Sequence, residues 1–152
     1  QTTQKTKFKI NNLTPAKKEK AYLFSIAFLV RDYECDLQGV VNNANYQHYL
    51  EHARHEFLIS RGISFSELHD DGLDLIVTKA EIDYRYPLRS RDRFEIKVSL
   101  CREGNVRIVF LQDIFRIPDG KLIVNAKITG AATRNGRPVF PGNELLSKLG
   151  LV

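Results

Sequence analysis

A single helical stripe of apolar residues, set among segments that alternate apolar and polar residues, restricts the fold of this 152-residue chain. From residue 43 to about residue 61, apolar side chains recur at spacings of three and four, the period of an α-helix. The stripe consists of Tyr46, Tyr49, Leu50, Ala53 and Phe57. Such a stripe needs a sheet to cover it.

Five segments predict β-strands because their apolar residues recur at every second position or in short β-branched runs. They span residues 22–30, 75–86, 93–101, 106–117 and 122–133. In the second segment, Ile76, Ile82 and Tyr84 are predicted on a buried face, with charged residues on the wet face. Turn sequences at 103–105 and 118–120 favour antiparallel neighbours. The order predicts an α+β fold, a five-stranded antiparallel sheet wrapped around one long helix.

The composition fits one domain, since 43% hydrophobic residues are enough for one ordinary core. The sequence has no apolar run of about 18 residues and no export pattern, so we expect a cytoplasmic protein without a membrane span. Cys35 and Cys101 are too few for a disulfide framework, and reduced thiols are expected. The lack of methionine predicts a processed or trimmed start.

The positive charge lies almost entirely in residues 1–20. Six lysines and one glutamate in this stretch account for the whole formal net charge of +5. Its polar composition predicts a flexible basic arm, followed by one folded domain over residues 21–152. The neutral remainder argues against a nucleic-acid partner. A solvated tail is the simpler interpretation of the arm, and attraction to an acidic partner is the alternative.

A turn followed by a helix start places one carboxylate beside unpaired backbone N–H groups. Asp36 lies in a turn that ends at Gly39, and Asn42 and Asn43 can cap a helix that Gly62 stops. A helix start leaves about four N–H groups unpaired and carries a partial positive charge, so it can polarise a carbonyl oxygen. This arrangement is half of an acyl-transfer site. An aspartate that only hydrogen-bonds within its turn is the structural alternative.

The same segment carries a longer signature, Asp-x-x-Gly-Val-Val, then Asn-Tyr, then Glu-x-x-Arg. Its residues are Asp36, Gly39, Val40, Val41, Asn45, Tyr46, Glu51 and Arg54. With this spacing the chain resembles the single-domain hotdog-fold acyl thioesterases of the 4-hydroxybenzoyl-CoA thioesterase type. Within that family it looks most similar to the plant acyl-lipid thioesterases and their bacterial relatives, which cleave acyl groups from acyl carrier protein or CoA. The resemblance covers about Phe24 to Pro141.

The resemblance implies catalytic roles for particular residues. Asp36 would act either as general base for a water or as a nucleophile that forms a mixed anhydride. The backbone N–H of Asn43 would hold the thioester oxygen. Many relatives have Tyr-His where this chain has Asn42 and Asn43, so no histidine role is expected there. Glu51 is a candidate for positioning water, and a surface ion pair with Arg54 is the plainer interpretation.

Substrate-binding residues are expected just after the acid and in a later loop. The candidates are Gly39, Val40, Val41, Asn42, Tyr46, Arg89 and Arg91. The two arginines follow a strand, where phosphates of CoA or of a phosphopantetheine arm could be met, and Arg134 and Arg137 form a second such cluster. The acyl chain is expected between helix and sheet, bordered by Tyr46, Leu50, Phe57 and Phe65.

This family needs no metal or bound cofactor, and none is expected. His48, His52 and His55 follow helical spacing, but no His-Glu-x-x-His motif or partner carboxylate accompanies them. Solvent or a subunit interface is therefore expected around them rather than zinc. Cys35 has no histidine base beside it in the sequence and is predicted to be inert.

The resemblance also implies an assembly. Related proteins pair two sheets edge to edge, with active sites at the dimer interface, so a homodimer or homotetramer is expected. A non-catalytic module that binds or senses acyl-CoA or acyl carrier protein on the same fold is the alternative to an enzyme. The cytoplasm is the expected location, and the resemblance to plant proteins gives a plastid as the alternative.

Overall fold

A computed structural model describes residues 21–152 of the chain. The basic arm predicted over residues 1–20 lies outside the described residues. The helices are α1 (Asn43–Ser60), α2 (Phe65–Asp70) and α3 (Asn143–Lys148). The strands are β1 (Phe24–Leu29), β2 (Leu73–Tyr84), β3 (Arg93–Glu103), β4 (Arg107–Ile117), β5 (Leu122–Arg134) and β6 (Arg137–Pro138). The five predicted strands and the predicted long helix are confirmed, while α2, α3 and the two-residue β6 were not predicted.

The strands form one antiparallel sheet in the order β1-β3-β4-β5-β2, and β6 pairs with β5. β3 and β4 form the predicted hairpin, in which Ile96 lies opposite Ile114. The sheet curls around α1, because its inner apolar side chains must cover the helical stripe. The core on this side includes Leu50, Ala53, Phe57, Phe94, Ile96, Ile114, Val124 and Ile128. The predicted hotdog architecture is confirmed.

The ends of α1 agree with the sequence signals. The Asn42 side chain accepts a hydrogen bond from the Ala44 N–H at 2.9 Å, which makes Asn42 the N-cap. At the other end, Gly62 takes a left-handed φ of 72° that a glycine adopts without a steric penalty. The long stripe between these caps is buried as predicted.

The predicted buried face of the second strand is wrong for much of its length. Ile76 is 48% exposed and Tyr84 is 45% exposed. β2 lies at the edge of the sheet and has β5 as its single neighbouring strand. A register shift between Val77 and Lys79 also interrupts the alternation of its side chains. A simple period of two therefore could not assign the faces on both sides of this bulge.

Candidate active site

Asp36 closes a small turn with both its backbone and its side chain. Its N–H donates to the Val40 carbonyl at 2.9 Å, and its own carbonyl accepts from the Gly39 N–H at 3.0 Å. One carboxylate oxygen, Oδ1, accepts from the Gln38 N–H at 2.8 Å. Gly39 completes the turn with a left-handed φ of 78°. The turn fixes one carboxylate oxygen of the exposed Asp36, and Oδ2 has no hydrogen-bond partner within residues 21–152.

Backbone contacts join this turn to the start of α1. Cys35 and Val41 form an antiparallel bridge across the base of the turn. The Glu34 carbonyl accepts from the Asn42 N–H at 3.1 Å and from the Asn45 Nδ2 at 2.7 Å. Asp36 is thereby held close to the first turn of the helix, although it lies seven positions before Asn43.

The N–H groups at the start of α1 are not equivalent. The Ala44 N–H donates to the Asn42 side chain, and the Asn45 N–H donates to the Asn42 carbonyl. The Asn43 N–H has no hydrogen-bond partner in the described part of the chain, and Asn43 is exposed. As the first residue of the helix, Asn43 offers an open donor at its positive end. This is the group that the resemblance implies for the thioester oxygen.

The loop with Arg89 and Arg91 packs against the same turn. Val40 and Arg89 form a bridge, and the Val41 N–H donates to the Leu88 carbonyl at 2.8 Å. Arg91 lies 4.0 Å from the Asp32 carboxylate. Both predicted arginines and the acid are therefore brought together. The other cluster lies on β5 and β6, where the Arg134 side chain donates to the Asp71 carbonyl at 2.7 Å.

Tyr46 lies beneath this site and not on an open surface. Its ring is buried, and its hydroxyl accepts a hydrogen bond from the Leu88 N–H at 2.9 Å. Burial raises the pKa of Tyr46, so the phenol stays protonated. Tyr46 thus connects α1 to the arginine loop.

Cys35 also lies under the turn. Burial is the main cause that raises the pKa of its thiol, and the carboxylates of Asp32, Asp36 and Glu34 raise the pKa further. The free thiol is therefore held in its neutral form at neutral pH, which suits the inert role predicted for it.

A cavity of about 410 Å³ lies between α1 and the strands β2 and β5. Its apolar wall includes Leu50, Leu58, Phe65, Leu75, Ile82 and Phe110. Leu50 and Phe65 thus lie where the acyl chain was expected, whereas Tyr46 and Phe57 are buried in the core beside it. No residue of the Asp36 turn lines this cavity in one protomer. The carbonyl-binding turn and the apolar cavity are therefore separate features of a single copy.

The polar side of the cavity differs from its predicted form. Arg54 donates to the Gln112 Oε1 at 3.0 Å, and no ion pair with Glu51 is present, so the predicted surface ion pair is wrong. Glu51 instead lies 3.7 Å from His55, and both line the cavity. Gln112, on β4, was not singled out from the sequence. Its only signal is a polar residue at an inward position of a strand that is otherwise apolar on that face.

The histidines of α1 lie on its exposed side. His52 lies 3.9 Å from Glu56, and His55 lies 3.7 Å from Glu51; in each pair the two residues are one helical turn apart. Within residues 21–152, no three His, Cys, Asp or Glu side chains come together as they would around a metal ion. No helix of this region is both long and apolar enough to cross a bilayer.

Comparison with known proteins gives a consistent family. The family model of the thioesterase-like superfamily matches residues 30–149. A chloroplastic acyl-acyl carrier protein thioesterase of Arabidopsis thaliana, ATL2, is 44% identical over 104 residues, covering 68% of this chain and 55% of its own. The long-chain acyl-CoA thioesterase FadM of Escherichia coli is 31% identical over 100 residues, covering 66% of this chain and 75% of its own. This chain spans about half the length of the plant relatives that it matches.

The fold has close structural relatives. The crystal structure of a hypothetical protein from Aquifex aeolicus superposes with a TM-score of 0.77 and 32% identity. The superposition covers 83% of this chain and 98% of that protein. The curled sheet, the central helix and the elements around them therefore recur in a whole protein of similar size.

Proposed function

The chain belongs to the thioesterase-like superfamily, and we propose that it hydrolyses acyl thioesters of acyl carrier protein or CoA to a free acid and a thiol. The observation that carries this proposal is the open Asn43 N–H at the start of α1, next to a turn that holds the Asp36 carboxylate. A donor for the developing oxyanion and a carboxylate that acts as base or nucleophile are the two groups that thioester hydrolysis needs from the protein.

The thioester carbonyl accepts a hydrogen bond from the Asn43 N–H, and the partial positive charge of the helix start stabilises the oxyanion. In one route, Asp36 takes a proton from a water whose oxygen attacks the carbonyl carbon. In the other, an Asp36 oxygen attacks directly and forms a mixed anhydride, which water then cleaves. In both routes the carbon–sulfur bond breaks and the thiolate takes up a proton. The open Oδ2 of Asp36 is available for either step.

The donor of the acyl group carries phosphate in both candidate forms. Arg89 and Arg91 lie beside the Asp36 turn, and guanidinium groups bind phosphate oxygens well. The names of the plant and E. coli relatives give acyl carrier protein and CoA as carriers. We therefore propose that the arginine loop meets the phosphate of the carrier arm.

We further propose that two copies share each site. β2 presents a twelve-residue edge without a partner among the described strands, and Ile76 and Val77 are about half exposed there. Pairing of two such edges would cover these side chains. It would also bring the cavity of one copy toward the Asp36 turn of the other copy. Sedimentation analysis should give a dimer or tetramer, and a monomer with full activity would contradict this part of the proposal.

The test is thiol release from a panel of acyl-CoAs and acyl carrier proteins, with acyl groups from acetyl to stearoyl and one aromatic group. We expect turnover of at least one donor, and the ranking identifies the carrier and chain length. Saturable acyl-CoA binding without release of thiol from any donor would contradict hydrolysis and support a sensor on the same fold. The predicted cytoplasmic location stays a prediction, since the plant relatives are chloroplastic.

A further inference from the structure

The Tyr49 hydroxyl is the one buried side-chain polar atom without a hydrogen-bond partner in the part of the chain that the structure describes. Tyr49 lies in the second turn of α1 and is 6% exposed. Its ring packs against the rings of Phe28, Tyr46 and Phe94 at centroid distances of 5.9, 6.1 and 4.8 Å. A phenylalanine would make the same ring contacts without burying an unpaired hydroxyl, which costs free energy. The hydroxyl therefore indicates a role in hydrogen bonding.

The Glu34 carboxylate is the charged group that acts most strongly on this hydroxyl. Burial is the main cause that raises the pKa of Tyr49, and the negative charge of Glu34 is the next. The phenol therefore keeps its proton and is available as a donor. Glu34 is partly buried, and one of its oxygens, Oε1, accepts from the Arg31 N–H at 2.7 Å. A carboxylate offers about four lone-pair sites, so Glu34 keeps capacity for a second donor.

Glu34 also joins the Asp36 turn to the start of α1. It ends the short 3-10 helix Asp32–Glu34, two positions before Asp36. Its carbonyl accepts from the Asn42 N–H at 3.1 Å and from the Asn45 Nδ2 at 2.7 Å. A movement of Glu34 would therefore shift Asp36 relative to the first N–H groups of α1.

We infer that the Tyr49 hydroxyl donates a hydrogen bond to the Glu34 carboxylate, and that this pair holds the Asp36 turn in place against the start of α1. Rotation of the Glu34 side chain completes the bond, since its carboxylate is only partly buried. The pair adds a side-chain contact to the two bonds that the Glu34 carbonyl accepts. Tyr49 is then a positioning residue for Asp36, and its effect on catalysis rests on the proposed function.

The sign of a stability change tests the hydrogen bond. Tyr49→Phe keeps the ring contacts and removes only the hydroxyl. Loss of an unpaired buried hydroxyl would raise the urea midpoint of unfolding, whereas loss of a hydrogen bond to a carboxylate lowers it. We expect a lower midpoint, and no such fall when the substitution is made in a Glu34→Ala background. A raised midpoint, or an equal fall in both backgrounds, would overturn the inference.

Hydrogen exchange tests whether the pair holds the turn. The Asn42 N–H donates to the Glu34 carbonyl, so its exchange rate reports on this junction. We expect roughly ten- to a hundredfold faster exchange of the Asn42 N–H in Tyr49→Phe. Tyr33→Phe removes a hydroxyl from the adjacent, 75% exposed tyrosine and is the matched control, which should leave this rate unchanged. An unchanged rate in Tyr49→Phe would overturn the inference.

Thiol release tests the consequence for catalysis. Because Tyr49 does not line the cavity, Tyr49→Phe should leave KM close to wild type and lower kcat by roughly 10- to 100-fold, the cost of a misplaced catalytic group. Wild-type kcat in Tyr49→Phe would overturn the positioning role. If wild type releases thiol from no donor, the proposed function fails, but the urea midpoint and the Asn42 exchange rate still decide whether the pair holds the turn.

Discussion

The start of α1 and the Arg54 wall of the cavity are built from contacts of very different range. Around Asp36, the hydrogen bonds within the turn and the helix start join residues at most eleven positions apart, such as Asn45 and Glu34, and Leu88 supplies the long-range bonds to Val41 and Tyr46. At the cavity wall, Gln112 bonds to Arg54 and Leu50 across 58 and 62 positions. The first region is fixed by turn and cap chemistry, whereas the second exists only after the sheet has closed on the helix. Substitutions in the two regions should therefore differ in their effects on activity and on the free energy of unfolding.

The largest effect is expected on kcat when the Asn43 N–H at the start of α1 is removed. Asn43→Pro deletes the N–H, yet proline is accepted at the first helical position, and Asn42 already has the extended backbone that precedes proline. We expect kcat to fall roughly 100- to 1,000-fold, the usual cost of one oxyanion donor. Asn43→Ala keeps the N–H and should stay near wild type in the same thiol-release assay. Equal activity of the two variants would remove the Asn43 N–H from the mechanism.

For the free energy of unfolding, a substitution at the cavity wall should cost more than one at the start of α1. Gln112→Leu leaves the Arg54 guanidinium without its acceptor, and we expect a loss of about 2 kcal/mol in the free energy of unfolding. Asn42→Ala removes only the helix cap and should cost about 1 kcal/mol. Urea denaturation of the two variants measures both. A larger loss for Asn42→Ala would mean that the long-range contacts stabilise the fold less than the local cap.

Thiol reactivity sharpens the description of the region around Asp36. Because burial and three nearby carboxylates raise the pKa of Cys35, its thiolate is scarce at neutral pH and forms only as the pH rises. The exposed Cys101 should react first with a disulfide reagent. Single-cysteine variants, Cys101→Ala and Cys35→Ala, allow the two rates to be read separately. Faster labelling of Cys35, or loss of hydrolysis in Cys35→Ala, would contradict an inert thiol.

The smallest effect concerns a local contact between His69 of α2 and Asp74 of β2. The hydrogen bond from His69 to Asp74, at 2.8 Å, raises the pKa of His69 above its ordinary value of about 6.5. Its contribution to stability is full below this ordinary value and is lost as the pH rises through the raised pKa. NMR titration should show the pKa of His69 falling in Asp74→Asn. An unchanged value would show that this exposed contact does not persist in solution.

The sequence could predict features that depend on contacts between neighbouring residues better than features that depend on contacts between distant ones. Asp36, Gly39 and Asn42 lie in one short segment whose turn and cap signals act on neighbours, so the helix start could be predicted closely. The bulge in β2 and the partner of Arg54 depend on how distant strands are aligned, which no local pattern encodes. Glu51 and Arg54 have the spacing of an ion pair, yet the inward Gln112 competes for the guanidinium. The cap of α2, in which the Ser64 side chain accepts from the Glu67 N–H, is local and has the spacing of a capping box, although α2 is not among the predicted elements.

The most direct measurement is kcat for thiol release by wild type and Asp36→Asn on the best donor of the panel. Asparagine can still accept the Gln38 N–H through its oxygen, so the turn is kept, but it can neither take a proton nor attack a carbonyl carbon. We predict a loss of roughly 100- to 10,000-fold. Asp70→Asn, at an exposed aspartate of α2, is the control and should remain fully active. Turnover by folded Asp36→Asn at the wild-type rate would contradict catalysis by this carboxylate.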